Sequence, residues 1–481
     1  MKKYMAILLT LITVLSLCAC GGRLGDTAKE PTGIQVGYWK ESITPDFSVG
    51  MGGMSETITR KSQGKVSNIY LTCIAFREGE ETILLYTIDM INTGDNVRAK
   101  LREAINQVTK IPGDKIFFGT THTHSAPYFG MKDLPGQRFD ALFLKAAQVA
   151  AENAIADLAP ATIETAKPII EKMNFVRHYL MNDGSYAGSN FGTFTGLTAV
   201  DYGEATDPQM VLVKFDRGEE KEDVLLINWQ AHPAGANSDD IGYYNISADF
   251  VGELRDTVEK ETGMKVAYFS GAEGNLGRNT EIAADDHGLG VMAYGRKMGE
   301  YAIEALKDLK PADNQGLKST QIRYRVEINH QWDDRLEDAK EVYDIFLKGS
   351  QNGATKRAKE LGFSSYFHAK SVISRSKMGK YSSLEMNAFH VGDVGFVAGT
   401  YEMFSVAGTY IKENSPYDTT FIVTANMGYI ASLKAFEYMS YEASTCQFVP
   451  GTSEELAEQF VVLLKGLEAE PETETQANQE G

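Results

Sequence analysis

Cysteine is scarce: the 481 residues contain four, and two of these, Cys18 and Cys20, lie within the first twenty positions. The other two, Cys73 and Cys446, allow at most one bond, so no disulfide framework holds the chain. Long apolar runs are missing as well. The uncharged stretch from Met5 to Leu17 is shorter than the about 20 residues that a spanning helix needs, and no second run follows it. Positive charge is in deficit. Lys and Arg number 47 against 65 Asp and Glu, a formal net charge of -18, which repels phosphate backbones and argues against a nucleic-acid partner. Part of that charge (Glu468, Glu470, Glu472, Glu474, Glu480) falls in a terminal stretch, 468–481, whose composition predicts a disordered acidic tail. There is no internal repeat and no low-complexity segment before that tail.

At 43% hydrophobic and 23% charged residues, the chain has ample material for a large buried core. Its start reads as an export signal. Lys2 and Lys3 precede the apolar run, which ends in Leu17-Cys18-Ala19-Cys20-Gly21, similar to the bacterial lipoprotein box. The expectation is removal of residues 1–19, lipidation of Cys20, and anchoring of the exported protein to the bacterial cell envelope membrane through acyl chains. Residues 20–33 are polar and glycine-bearing, as suits a tether. The body is expected over residues 34–467 as a single domain.

Within the body, Asn68–Phe76, Thr82–Asp89, Lys115–Thr121, Met210–Phe215, Val224–Trp229, Val266–Phe269, Val394–Ala398 and Phe421–Thr424 read as short apolar strands. Helical spacing fits Asn96–Val108, Arg138–Leu158, Ala248–Thr262, Val291–Leu309, Asp333–Leu361 and Ser453–Leu467. Alternation of this kind predicts an α/β fold of layered mixed sheets flanked by helices.

Polar residues stand where three apolar strands end. Thr121-His122-Thr123-His124-Ser125 closes the first. If the chain stays extended, His122 and His124 share a face about 7 Å apart, which suits a metal ligand beside a proton-handling imidazole. His232 closes a second strand, and Pro233 ends that strand at a sheet rim. Glu402 follows a third, ahead of a helical stretch. Alone, each has an ordinary structural role open to it: a satisfied turn histidine, a rim residue, a helix cap. Together, two imidazoles and a carboxylate form a common catalytic zinc set with a position left for water.

Beyond these residues, the chain resembles the neutral/alkaline non-lysosomal ceramidase family from about Ile34 to Leu467. Gly119-Thr120-Thr121-His122-Thr123-His124-Ser125-Ala126-Pro127 is similar to its Gly-Thr-His-Thr-His-Ser-Gly-Pro signature. Asn174-Phe175-Val176-Arg177, Asp207-Pro208, Asn228-Trp229 with His232, Gly399-Thr400-Tyr401-Glu402, Gly428-Tyr429 and Tyr441-Glu442 follow in the family's order. The resemblance implies a zinc ion held by His122, His232, Glu402 and a tyrosine, matched here to Tyr429. It also implies that His124, Arg177 and Tyr441 surround the scissile carbonyl of an N-acyl, ceramide-like lipid substrate, hydrolysed by a metal-activated water. Two departures stand out. Gly274-Asn275-Leu276-Gly277-Arg278 lacks the family's aspartate and serine at Asn275 and Gly277, and no immunoglobulin-like domain follows the last helix. Two other readings remain open: a metallohydrolase of the same fold acting on a different acylated or esterified compound, and a non-catalytic binding lipoprotein, which the altered 274–278 stretch favours.

Overall fold

The computed structural model describes residues 33–54, 60–181, 186–188, 199–201, 204–278, 290–425 and 428–468. The expected signal at 1–19, the lipidated Cys20, nearly all of the 20–33 tether and the tail after Glu468 lie outside the described residues. Three sheets form the body. The first orders its strands Ile116–Thr120, Glu81–Ile88, Tyr70–Glu78, Gln35–Ser42 and Ala159–Pro160. The second runs Lys265–Ser270, Val224–Trp229, Val211–Asp216, Thr162–Ala166 and Lys310–Ala312. The third runs Leu317–Glu327, Tyr381–Val391, Val394–Gly399 and Thr419–Thr424. Each is mixed, with one parallel pair of strands at one edge.

Side-chain alternation explains the layering. In Val224–Trp229, Val224 and Leu226 face one core while Leu225, Ile227 and Trp229 face another, and all six residues are buried. Inner faces of all three sheets share one core, to which Val36, Ile74 and Phe117, Val213 and Phe269, and Phe389, Phe396 and Val423 contribute. Each outer face is covered by a pair of helices. These are Asp95–Thr109 and Leu134–Ala156 on the first sheet, Phe250–Thr262 and Val291–Ala305 on the second, and Ser405–Asn414 and Thr452–Glu468 on the third. Covering both faces is why these strands read as near-continuous apolar runs.

The helix expected over Asp333–Leu361 is two helices, Leu336–Leu347 and Gln351–Glu360. The turn between them ends at Ser350, whose side chain caps the second by accepting from the Gly353 amide. With Tyr366–Arg375 they form an arm with a small core of its own around Val342, Phe363 and Tyr366. Among the described residues no helix is long and apolar enough to cross a membrane.

The parallel pairs meet at their carboxyl ends. Asn228 stitches the second sheet to the third, donating to the carbonyls of Phe269 at 2.9 Å and Ile422 at 2.8 Å and accepting from the Ile422 amide at 3.2 Å. The Thr424 hydroxyl donates to the Ser270 carbonyl at 3.2 Å. Carboxyl ends of parallel strands are where open α/β sheets bind ligands, and His122, His232 and Glu402 all lie just beyond such ends.

Candidate metal centre and its surroundings

The Ile116–Thr120 strand stops two residues before His122, which adopts φ 60°. That left-handed conformation costs a non-glycine residue about 1–2 kcal/mol. The chain therefore does not stay extended through His124, yet the two rings still meet, their centroids 5.0 Å apart. The two histidine segments are tied together, the His124 amide donating to the Pro233 carbonyl at 3.1 Å. His232 is held in turn by a bond from its amide to the Leu276 carbonyl at 3.0 Å. Glu402 begins a two-residue strand, Glu402–Met403, that pairs in parallel with Tyr429–Ile430 and sets Glu402 beside Tyr429. Gly274 passes so close beneath that a Cβ there would lie 2.7 Å from the Glu402 carbonyl oxygen, so no side chain fits.

Both imidazoles are oriented from behind by main-chain carbonyls. His122 Nδ1 lies 2.8 Å from the Ile91 oxygen and His232 Nδ1 lies 3.2 Å from the Glu273 oxygen. A carbonyl oxygen only accepts, so each Nδ1 carries the proton and each Nε2 presents a lone pair. Those two Nε2 atoms face each other at 2.9 Å. Glu402 Oε2, itself without a hydrogen-bond partner, lies 3.7 Å from the first and 3.5 Å from the second. Three acceptors converge with no donor between them, an arrangement that a cation relieves. Ligands 2.0–2.1 Å from a tetrahedral zinc lie about 3.3–3.4 Å from one another, and the observed separations bracket that value. The donor set fits zinc in chemistry as well as spacing.

Electrostatics agree. Burial, and then the neighbouring His124 charge, hold His122 well below its ordinary value. Burial with Arg177 and His122 does the same for His232. Burial pushes the Glu402 carboxyl up to about 8 against the pull of Arg177, with Glu273 and Glu442 adding to the rise. A divalent ion is the charge that turns such groups into ligands.

His124 completes a group of three imidazoles whose ring nitrogens lie within 4.8 Å of one another. Burial lowers it to about 4, against a hydrogen bond to the Gly53 backbone, and its Nε2 is buried without a partner. Gly53, at φ 92°, sits directly on this residue, where a Cβ would meet the His124 Cα at 2.6 Å. Two ligand sets thus share His122 and His232 and differ in whether Glu402 or His124 is third. Glu402 lies within 3.7 Å of both shared nitrogens, so each set offers three ligands to a cation.

Arg177 follows the short Asn174–Val176 strand. Its guanidinium donates to the Gly274 carbonyl, lies 3.0 Å from Glu442 Oε1 and 3.4 Å from the Tyr429 hydroxyl, and keeps Nε buried without a partner. Burial opposes its charge, but Tyr429, Glu442 and Glu402 more than offset that and keep it protonated. The Tyr429 ring lies 6.4 Å from the His232 ring and 5.9 Å from that of Tyr441. Burial raises both phenols, with Glu402 adding for Tyr429 and Glu442 for Tyr441, so each keeps its proton. All seven site residues named from the sequence therefore lie in one contiguous cluster. Ile91 and Glu273, which aim the imidazoles, act through backbone and leave no mark in a sequence. The role of Glu442 as the partner of Arg177 was not foreseen, although it adjoins Tyr441.

Asn275 is structural here. Its side chain bonds Ser405 and Glu204, and at Gly277 a Cβ would strike the Phe175 ring at 2.8 Å, so neither position presents a nucleophile.

No protein-family model matches the chain, and no curated protein matches it. Solved structures do. The chain is similar to the neutral ceramidase from Pseudomonas aeruginosa at 16% identity and a TM-score of 0.69, over 91% of this chain and 75% of that one. It is similar also to a ceramidase complexed with C2, at 15% identity and a TM-score of 0.66, with the same coverage. The fold implied by the resemblance is the fold observed.

Proposed function

We propose that this chain, which has the fold of neutral ceramidases, is a zinc-dependent amidase that cleaves the N-acyl bond of ceramide-like lipids at the bacterial envelope, tethered through a lipidated Cys20. One observation carries the chemistry: His122 Nε2, His232 Nε2 and Glu402 Oε2 converge as three buried acceptors without a donor. The substrate class comes from the shared fold and from the neighbours' description as ceramidases.

Zinc bound there supplies a Lewis acid that activates water and polarises a carbonyl. The chain's own groups do the rest. Arg177, fixed in charge by Glu442 and with its Nε–H unpartnered, stabilises negative charge on the amide oxygen together with the Tyr441 hydroxyl. Unprotonated His124 Nε2 accepts a proton from the attacking water and returns it to the departing amine. The Tyr429 hydroxyl, bonded to Glu402, completes the ligand side. Burial of these groups excludes bulk water and strengthens each interaction.

The test is hydrolysis by zinc-loaded full chain of a panel of N-acyl lipids, N-acyl amino acids and simple esters. We expect N-acyl lipids to be cleaved fastest, with activity lost to a chelator and restored by zinc. Full activity without zinc overturns the mechanism, and preference for esters or N-acyl amino acids overturns the substrate class. Cys20→Ser should release the chain from the membrane fraction; unchanged fractionation removes the anchor.

A further inference from the structure

Glu204 is a buried carboxylate outside the metal site, its side chain 3% exposed. Its Oε2 accepts from His178 Nε2 and from Asn275 Nδ2, each at 3.1 Å, and its Oε1 accepts from the Ser432 hydroxyl. Asn275 carries the network onward, its Oδ1 accepting from the Ser405 amide at 2.8 Å and its Nδ2 approaching the Ser405 hydroxyl at 3.1 Å. Each of these residues adjoins a site residue. His178 follows Arg177, Ser405 lies three residues after Glu402, and Ser432 three after Tyr429. The Asn275 carbonyl accepts from the Arg177 amide at 2.8 Å, and the next carbonyl, of Leu276, holds the His232 amide. One carboxylate thus bonds directly to the segments of Arg177 and Tyr429 and, through Asn275 and the adjoining Leu276, is linked to those of Glu402 and His232, although these segments are far apart in the chain.

We propose that Glu204 is a positioning residue that locks these four segments in register, and that it works as the acid half of an acid–amide pair with Asn275. The pairing follows from donors and acceptors. A second carboxylate at 275 would face the first at 3.1 Å and remove the amide donor, leaving two buried charges in repulsion. An amide at 204 with an acid at 275 keeps one buried charge and donates one hydrogen across the same contact and the other to His178 Nε2, whose ring takes its other tautomer, while the acid still accepts from the Ser405 amide. The lock is read from the hydrogen bonds alone, and only its consequence for turnover rests on the proposed hydrolase.

The experiment compares full-chain wild type, Glu204→Gln, Asn275→Asp and the double variant. Zinc affinity is read by chelator competition, kcat and KM on an N-acyl lipid, and melting temperature without substrate. Each single variant should weaken zinc binding and lower kcat about 10- to 100-fold, as loss of a group supporting a metal's ligands does, with KM within about twofold. The double variant should recover most of both. Single variants that melt lower but keep wild-type zinc affinity and kcat overturn the positioning role, as does a double variant whose losses equal the sum of the two. A wild type that neither binds zinc nor cleaves the lipid strikes the hydrolase instead. The pair is then judged by melting temperature, where recovery in the double variant supports it and additive loss overturns it.

Discussion

The ligand side of the site and the side facing the scissile bond are anchored by different means. His122 and His232 follow full strands of two large sheets, and main-chain carbonyls of Ile91 and Glu273 aim their rings. Arg177 follows a strand of only three residues, and Tyr441 opens a helix of five. Side chains hold these in place. Glu442 pairs with Arg177, and Arg375 on the helical arm donates to the Cys446 carbonyl at 2.7 Å, at the end of the helix that carries Tyr441. Main-chain anchoring survives side-chain replacement and side-chain anchoring does not. Damage on the ligand side should therefore stay local, whereas damage on the other side should spread.

The largest effect tests the ligand side. His232→Ala should abolish zinc binding and turnover together while leaving the far-UV circular dichroism unchanged, because the strand and its Asn228 stitch remain. Retained zinc would move the ligand set elsewhere. Next comes Arg177→Met, which should keep zinc but lower kcat about 10²- to 10³-fold, the usual result of removing a preorganised oxyanion donor. The same change leaves Glu442, 2% exposed, without its cation, at a cost of about 3–5 kcal/mol. Adding Glu442→Gln should recover most of that stability and none of the turnover. If urea midpoints show no loss for Arg177→Met, the contrast between the two sides fails. Tyr441→Phe should be milder, about tenfold in kcat, the size of one neutral hydrogen bond. Its ring keeps its contacts with Tyr429 and Phe367.

The same contrast explains what could be read from the sequence. Val224–Trp229 is apolar at nearly every position because both faces are covered, so its end, and with it His232, was legible. The long Leu317–Glu327 strand was not. It lacks the continuous apolar run that marks the other strands: Ile322, Tyr324 and Val326 alternate with Arg323, Arg325 and Glu327, as suits an edge strand with one face exposed. Nor could spacing reveal that Glu442 meets Arg177, or that Glu204 meets Asn275, since each pair forms only when distant segments fold together. The turn at 348–350 divides what looks like one helical pattern, and Gly349, at φ 89°, with the Ser350 cap marks the break.

The smallest effect on chemistry should come from a buried charge cluster built on Arg98, Arg102 and Glu385 rather than on the site residues. Glu385 accepts from both terminal nitrogens of Arg102 at 2.8 Å, with Arg98 Nε at 3.7 Å. Burial raises its carboxyl, but Arg102 and Arg98 outweigh that and hold it down at about 2, below the ordinary 4.5. As pH falls, the unfolded chain therefore takes up the proton first. The stabilisation is complete above about 4.5 and is lost as pH drops toward about 2, and at neutral pH it amounts to about 3 kcal/mol. Glu385→Gln should lower the urea midpoint at pH 7 yet leave kcat unchanged. The gap from wild type should narrow as pH falls below about 4.5, because a protonated glutamate and a glutamine carry the same charge. A gap that ignores pH would show that shape rather than charge holds the cluster. A fall in kcat would show that the sheets transmit strain to the site, and the division between a main-chain-anchored ligand side and an independent body would have to be abandoned.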